Sequence, residues 1–140
     1  MSQVPPEMKD RILDLALAIT NAVLADDEVL AMAHYQQLLA YHDEMHAAGS
    51  SHPFLVETLA DHTQDDREAL RIYQRALKMS HEWGPSEPTQ EILVGMARRW
   101  MVLGNGEQAE ACLRDAYAEA LSRGDTETVK EIDELRKEGR

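Results

Sequence analysis

Apolar residues recur every three or four positions along most of the chain, the spacing of one face of an α-helix. From Glu7 to Leu24 the residues Ile12, Leu13, Leu15, Ala16, Leu17, Ile19, Val23 and Leu24 favour one broad face. Pro5-Pro6 suits the start of that helix, because the first turn needs no backbone donor. Asp26-Asp27 breaks the run and can cap a second helix. The second is expected from about Glu28 to Ala48, through Leu30, Tyr35, Leu38, Leu39, Tyr41 and Met45, with Gly49-Ser50-Ser51 ending it. Pro53 opens a third, short helix to about His62. Asp65, with Glu68 three residues on, makes a start like a capping box. It leads a fourth helix through Ala69, Leu70, Ile72, Tyr73, Ala76 and Leu77 to about Trp83-Gly84.

Gly84-Pro85-Ser86-Glu87-Pro88 is the clearest loop in the chain. A fifth helix is predicted from Thr89 to about Leu103. Gly104-Asn105-Gly106 forms a tight turn, and a sixth helix spans about Glu107 to Arg123. Gly124 stops it, and Asp125 caps a polar seventh helix to about Glu138. No segment alternates with period two for long enough to predict a strand. Short connections make successive helices antiparallel neighbours. The expected architecture is therefore one all-α domain over residues 1–140. Its antiparallel hairpins would lie at about 7–48, 53–83 and 89–123, with a closing helix at 125–138.

The hairpin from Ile92 to Leu121 carries an ordered set of small and large residues. Leu93, Met96, Ala97 and Trp100 lie on its first helix, Gly104 at its turn, and Ala109, Leu113 and Ala116 on its second. This resembles a tetratricopeptide repeat, a family in which small residues let two helices approach and large ones fill the groove beside them. Ala69, Tyr73 and Ala76 match the second-helix pattern in the preceding hairpin. There Glu57 falls where a small residue is expected, and Gln64 replaces the turn glycine. Ala69 to Ala109 is 40 residues, against a family period of about 34. In the first hairpin either Ala31 or Ala33 can take the first alanine position. The polar last helix resembles the solvating cap of such arrays, with Ile132 and Leu135 inward and Glu127, Lys130, Glu131, Glu134 and Lys137 outward. The resemblance implies a short α-solenoid of about three hairpins plus a cap.

Charge narrows the partners. The 140 residues include 26 acidic and 14 basic ones, for a net charge of −12. Such a surface repels phosphate backbones, so no nucleic-acid partner is expected, and a basic protein suits it best. No stretch approaches the roughly 18 apolar residues of a membrane span, so no membrane association is expected. Met1 to Asp10 lacks a basic segment leading into an apolar one, so no secretory signal is expected and the default location is cytoplasmic. Cys112 is the only cysteine. It reads as a small core residue, with neither a disulfide nor a cysteine-rich zinc site open to it.

Candidate chemistry is thin. His42 and His46 share a helix face, but the string His-Asp-Glu-Met-His puts Asp43 where a zincin has Glu, and no third ligand is signalled. The histidines read as a polar face, with no metal site expected. The carboxylates of Asp26-Asp27-Glu28 and of Asp61 to Asp66 sit at predicted helix starts, where negative charge offsets the amide dipoles. Gly104-Asn105-Gly106-Glu107 has no preceding strand and no Lys, and no Gly-x-Ser-x-Gly occurs. Neither an enzyme nor a cofactor is expected. Met79, Met96, Met101, Trp83 and Trp100 read as core or as an adaptable apolar pocket, with Trp100 assigned to the core.

The resemblance implies a protein–protein interaction module whose first helices line a concave groove for a protein or peptide. The third helix would offer Phe54, Thr58 and Asp61, and the fifth Glu91, Val94, Arg98 and Met101. Arg98 would hold a carboxylate, and Phe54 and Met101 would be apolar anchors. The Lys and Asn set that clamps a C-terminal carboxylate elsewhere in the family is missing; only Arg98 and Asn21 are suitably placed. Two alternatives stay open. One is a small acidic immunity protein, inhibitor or secretion chaperone dedicated to a basic toxin or effector. The other is a structural module that forms a homodimer.

Overall fold

A computed structural model describes residues 4–139, and no strand occurs among them. Seven helices follow in order: α1 (Pro6–Leu24), α2 (Glu28–Ala47), α3 (Pro53–Asp61), α4 (Asp66–Trp83), α5 (Gln90–Val102), α6 (Gly106–Arg123) and α7 (Thr126–Glu138). The ends lie within a residue or two of the expected ones, because the stop and start signals are local. Three turns use one device. After α1, α5 and α6 the residues Asp26, Gly104 and Gly124 adopt left-handed φ of 56°, 77° and 68°. Each helix closes with a pair of backbone bonds, for example Asp27 N to Ala22 O at 2.9 Å and Asp125 N to Ala120 O at 2.8 Å. That is a Schellman end. The next residue then caps the following helix: Asp27 accepts from Leu30 N, Asn105 from Gln108 N and Asp125 from Thr128 N. At α4, Asp65 accepts from the amides of Arg67 and Glu68. The Glu68 carboxylate pairs with Arg71 at 2.6 Å, so the capping-box half of the expectation is corrected.

Helices α1 and α2, α3 and α4, and α5 and α6 form hairpins. These stack through α2 on α3 and α4 on α5, while α1 also reaches α3 and α5 also reaches α7. One continuous core runs from Met8 to Leu135. Ile12, Leu38, Leu55, Leu59, Ile92 and Ile132 are fully buried in it, each stabilising by about 1.5–3 kcal/mol. Alanine sets the spacing: Ala69 and Ala76 of α4, Ala97 of α5 and Ala116 of α6 have no exposed surface. Cys112 is buried among them, and burial with nearby Asp115 pushes its thiol pKa up.

Two arginines tie the stack at its connections. Arg99 of α5 donates to Ala60 O at 3.1 Å and Asp61 O at 3.2 Å, at the end of α3. It also meets Asp66 Oδ1 at 3.0 Å, at the start of α4. Arg123 of α6 holds the loop between α4 and α5, donating to Pro85 O at 2.7 Å and Glu87 O at 3.0 Å.

Three readings from the periodicity need correction. Helix α1 buries Met8, Ile12, Leu15, Ile19 and Ala22, but Leu13, Leu17, Val23 and Leu24 stand exposed. Trp100 is only half buried at the edge of the core. His42 is not on a polar face: it is buried, stacked on His46, with Nδ1 2.9 Å from Asp43 and Nε2 3.1 Å from Arg75. Arginine is a donor only, so this arrangement fits the Nδ1–H tautomer.

Candidate functional site

Helix α3 is only nine residues long, and both its sides are covered. Leu55, Val56, Leu59 and Ala60 are buried in the core. Positions 54, 57 and 61 follow at helical spacing along the remaining strip. Phe54 and Glu57 are partly buried there, and Asp61 is exposed as a residue while its carboxylate turns inward to the Tyr73 hydroxyl. Thr58 is instead 5% exposed, and its hydroxyl donates back to Phe54 O at 2.7 Å. The α3 member of the face between Phe54 and Asp61 is therefore Glu57, one residue earlier than the sequence pattern indicated.

The Asp61 carboxylate accepts a short hydrogen bond from the hydroxyl of Tyr73 on α4. That reach depends on α5. Tyr73 passes directly over Gly95, whose missing side chain leaves room for the ring. Burial, helped by the neighbouring Asp61, pushes the Tyr73 pKa well up, so its hydroxyl stays a donor.

The electrostatics of this strip are unusual. Burial raises the Glu57 pKa from 4.5 to about 8, with further pushes from Asp61, Glu91 and Glu87. Asp61 rises from 3.8 to about 6, again chiefly through burial, against the pull of Tyr73, Arg99 and Arg98. Neither carboxylate has an ion pair among the described residues. A neighbouring acid disfavours the charged form of Glu57, while Arg99 and Arg98 offset the burial only at Asp61.

The positions expected on α5 divide three ways. Glu91 and Arg98 share the electrostatic field of Asp61, and both are also held by α7. The Thr128 hydroxyl lies 2.7 Å from Glu91 Oε1, and Arg98 pairs with Glu131 at 2.5 Å. Arg98 thus already grips a carboxylate of its own chain. Val94 is 3% exposed and belongs to the core. Met101 is half buried and lines a separate cleft with Leu135 and Arg136, at the end of α7. The structure therefore brings together Phe54, Asp61, Glu91 and Arg98, adds Glu57 and Tyr73, and sets Thr58, Val94 and Met101 apart.

Each end of the α3 strip opens into a cleft. Beside Asp61 lies one of about 650 Å³, walled by Val23 and Leu24 of α1, Met32 and Tyr35 of α2, and Arg99. Beside Phe54 and Glu57 lies one of about 500 Å³. Among the described residues no group of three or more metal-ligating side chains converges, and no helix is long and apolar enough to cross a membrane. Comparison of the chain with known protein families, with curated proteins and with solved structures yields no match.

Proposed function

We propose that this chain is a protein–protein interaction module that lays a positively charged segment of a partner along the Phe54–Glu57–Asp61 strip of α3. The observation that carries this reading is the pair Glu57 and Asp61, four residues apart on α3, neither in an ion pair among the described residues and only Asp61 offset at a distance by Arg99 and Arg98. A bound ammonium or guanidinium group would stabilise both carboxylates in their charged form. The strip spans about 10 Å at 1.5 Å per residue. That matches about three residues of extended peptide, with an apolar neighbour fitting the cleft beside Asp61, walled by Val23, Leu24 and Met32. The net charge of −12 favours the same class of partner and would speed its encounter. The tetratricopeptide-like residue pattern agrees with a module of this type, and a dedicated inhibitor or chaperone of one basic protein is a special case of it.

The test is binding of an array of short lysine- and arginine-containing peptides at low and high salt. Binding that weakens with salt and falls about tenfold in Glu57→Gln or Asp61→Asn supports the reading. Equal binding of acidic and basic peptides would sink it.

Exposed apolar residues on the first hairpin favour a second reading, self-association. Leu13, Leu17 and Leu24 lie on the side of α1 turned from the core, with Leu24 80% exposed, and Val29 of α2 is 84% exposed. Light scattering over a concentration series tests it. A mass that rises with concentration, and no longer does so in Leu17→Glu, marks a homodimer through this face.

A further inference from the structure

The cleft at the start of α3 has features that a peptide-binding strip does not require. Its wall is built from Val4, Lys9 of α1, His52, Pro53, Phe54, Glu57, Glu87, Pro88 and Ile92. Glu87 is 6% exposed, and its Oε2 has no hydrogen-bond partner among the described residues. A buried carboxylate oxygen without a partner is costly. Its backbone is nevertheless fixed, since Arg123 binds Glu87 O. Glu57 stands in the same wall, also without an ion pair among the described residues. Lys9 lines the cleft too, but pairs with neither carboxylate within 4 Å. The rest of the wall is His52, whose Nδ1 accepts from Phe54 N, and the apolar Phe54 ring, two prolines, Val4 and Ile92.

We propose that this cleft is a receptor for one lysine or arginine side chain of the partner, its alkyl stem against Phe54, Pro88 and Ile92 and its charged head between Glu57 and Glu87. A long aliphatic stem ending in a cation is the side chain that matches apolar walls with acids among them. The aromatic Phe54 adds a face that attracts cations. The inference rests on the module reading above, since it names the residue the partner must present.

Binding is then linked to protons. Glu57 and Glu87 both have raised proton affinity, chiefly through burial. A cation that needs them charged must displace their protons, so affinity rises with pH. Among the described residues, the charged and titratable groups around the pair are Lys9 from α1, His52 at the start of α3, Asp61 further along it, Glu91 from α5 and Arg123 from α6.

The probes are n-butylammonium and n-propylguanidinium, with n-butanol as the uncharged control, added to the full chain and followed by NMR. The expected result is saturable shifts at Phe54 and at the Glu57 and Glu87 carboxyl carbons, tighter at pH 8.5 than at pH 6. Glu87→Gln and Glu57→Gln should each weaken binding at least fivefold, and Lys9→Ala should not weaken it. Cation binding unchanged in both Gln variants, or butanol bound as well as the cations, overturns the proposal. The two readings fail separately. If basic peptides bind but the probes do not enter the cleft, only this inference falls. If the probes bind while no basic peptide does, the module reading falls and the cleft stands as a small-cation site.

Discussion

Tyr73 of α4 crosses α5 at Gly95, so closely that a β-carbon built on Gly95 would stand 2.6 Å from both Cζ and Oη of the tyrosine. No real β-carbon tolerates that distance. Gly95→Ala must therefore push the ring aside and break its hydrogen bond to Asp61. Alanine would gain up to about 1 kcal/mol in helix propensity, but overpacking costs about 1–3 kcal/mol and the lost hydrogen bond about 1 kcal/mol more. A lower urea midpoint is expected. An unchanged or higher one means that Tyr73 is not held where the structure puts it.

Asp26 offers a change in the opposite direction. It occupies the left-handed position that glycine fills at the α5 and α6 ends. Non-glycine residues are strained there, aspartate less than most. Asp26→Gly keeps the Schellman bonds and the Asp27 cap and relieves the left-handed strain against glycine's greater loss of backbone entropy, so a net gain of up to about 1 kcal/mol is expected in denaturant unfolding. A clear loss would show that the Asp26 side chain contributes more than the relieved backbone strain.

The acid pair predicts the pH dependence of folding. Glu57 titrates near 8 when folded against an ordinary 4.5, and Asp61 near 6 against 3.8. The folded state holds protons that the unfolded chain releases. The stabilising contribution is complete below the ordinary values and is lost as pH rises through about 6 and then about 8. The expected fall between pH 5 and 8.5 is on the order of 1–3 kcal/mol, discounted because both groups keep contact with water. Glu57→Gln should flatten the upper half of that fall. Stability that rises across this window in the parent chain contradicts the arrangement.

Arg99 serves the end of α3 and the start of α4 together, through two carbonyls and the Asp66 carboxylate. Arg99→Ala should cost about 2–3 kcal/mol, because its hydrogen bonds are charge-assisted. Arg99→Lys should recover only part, since a single ammonium cannot reproduce the fork. Thermal melts of the three proteins order them, and a lysine variant as stable as the parent would show that charge alone suffices.

Much of this fold was legible because its signals are local. Asp27, Asp65 and Asp125 announce helix starts, the glycines at 49, 84, 104 and 124 announce ends, and the buried alanines follow from spacing. The strip on α3 was harder to place. On a nine-residue helix packed on two sides, one residue of error turns a side chain by 100°, which is the difference between Thr58 and Glu57. A signal was present: Glu57 is the large acid standing where the repeat pattern has a small residue. Val94 was misplaced for a related reason, since α5 lies between neighbours and buries nearly its whole circumference from Ile92 to Ala97. The Tyr73–Gly95 contact and the cleft that sets Glu87 beside Glu57 join distant segments, and no local pattern reports them.

The three turns in which one residue ends a helix and the next begins another have no slack. An extra residue at Asp26, Gly104 or Gly124 would damage two helices at once. Residues 84–89 form the longest link between helices, and they carry Glu87 and Pro88 of the α3 cleft. The longest link is thus both pinned by Arg123 at Pro85 and Glu87 and part of the cleft wall, so an insertion placed before Pro85 would leave the cleft and every helix in place, whereas one between Pro85 and Pro88 would reshape the cleft alone.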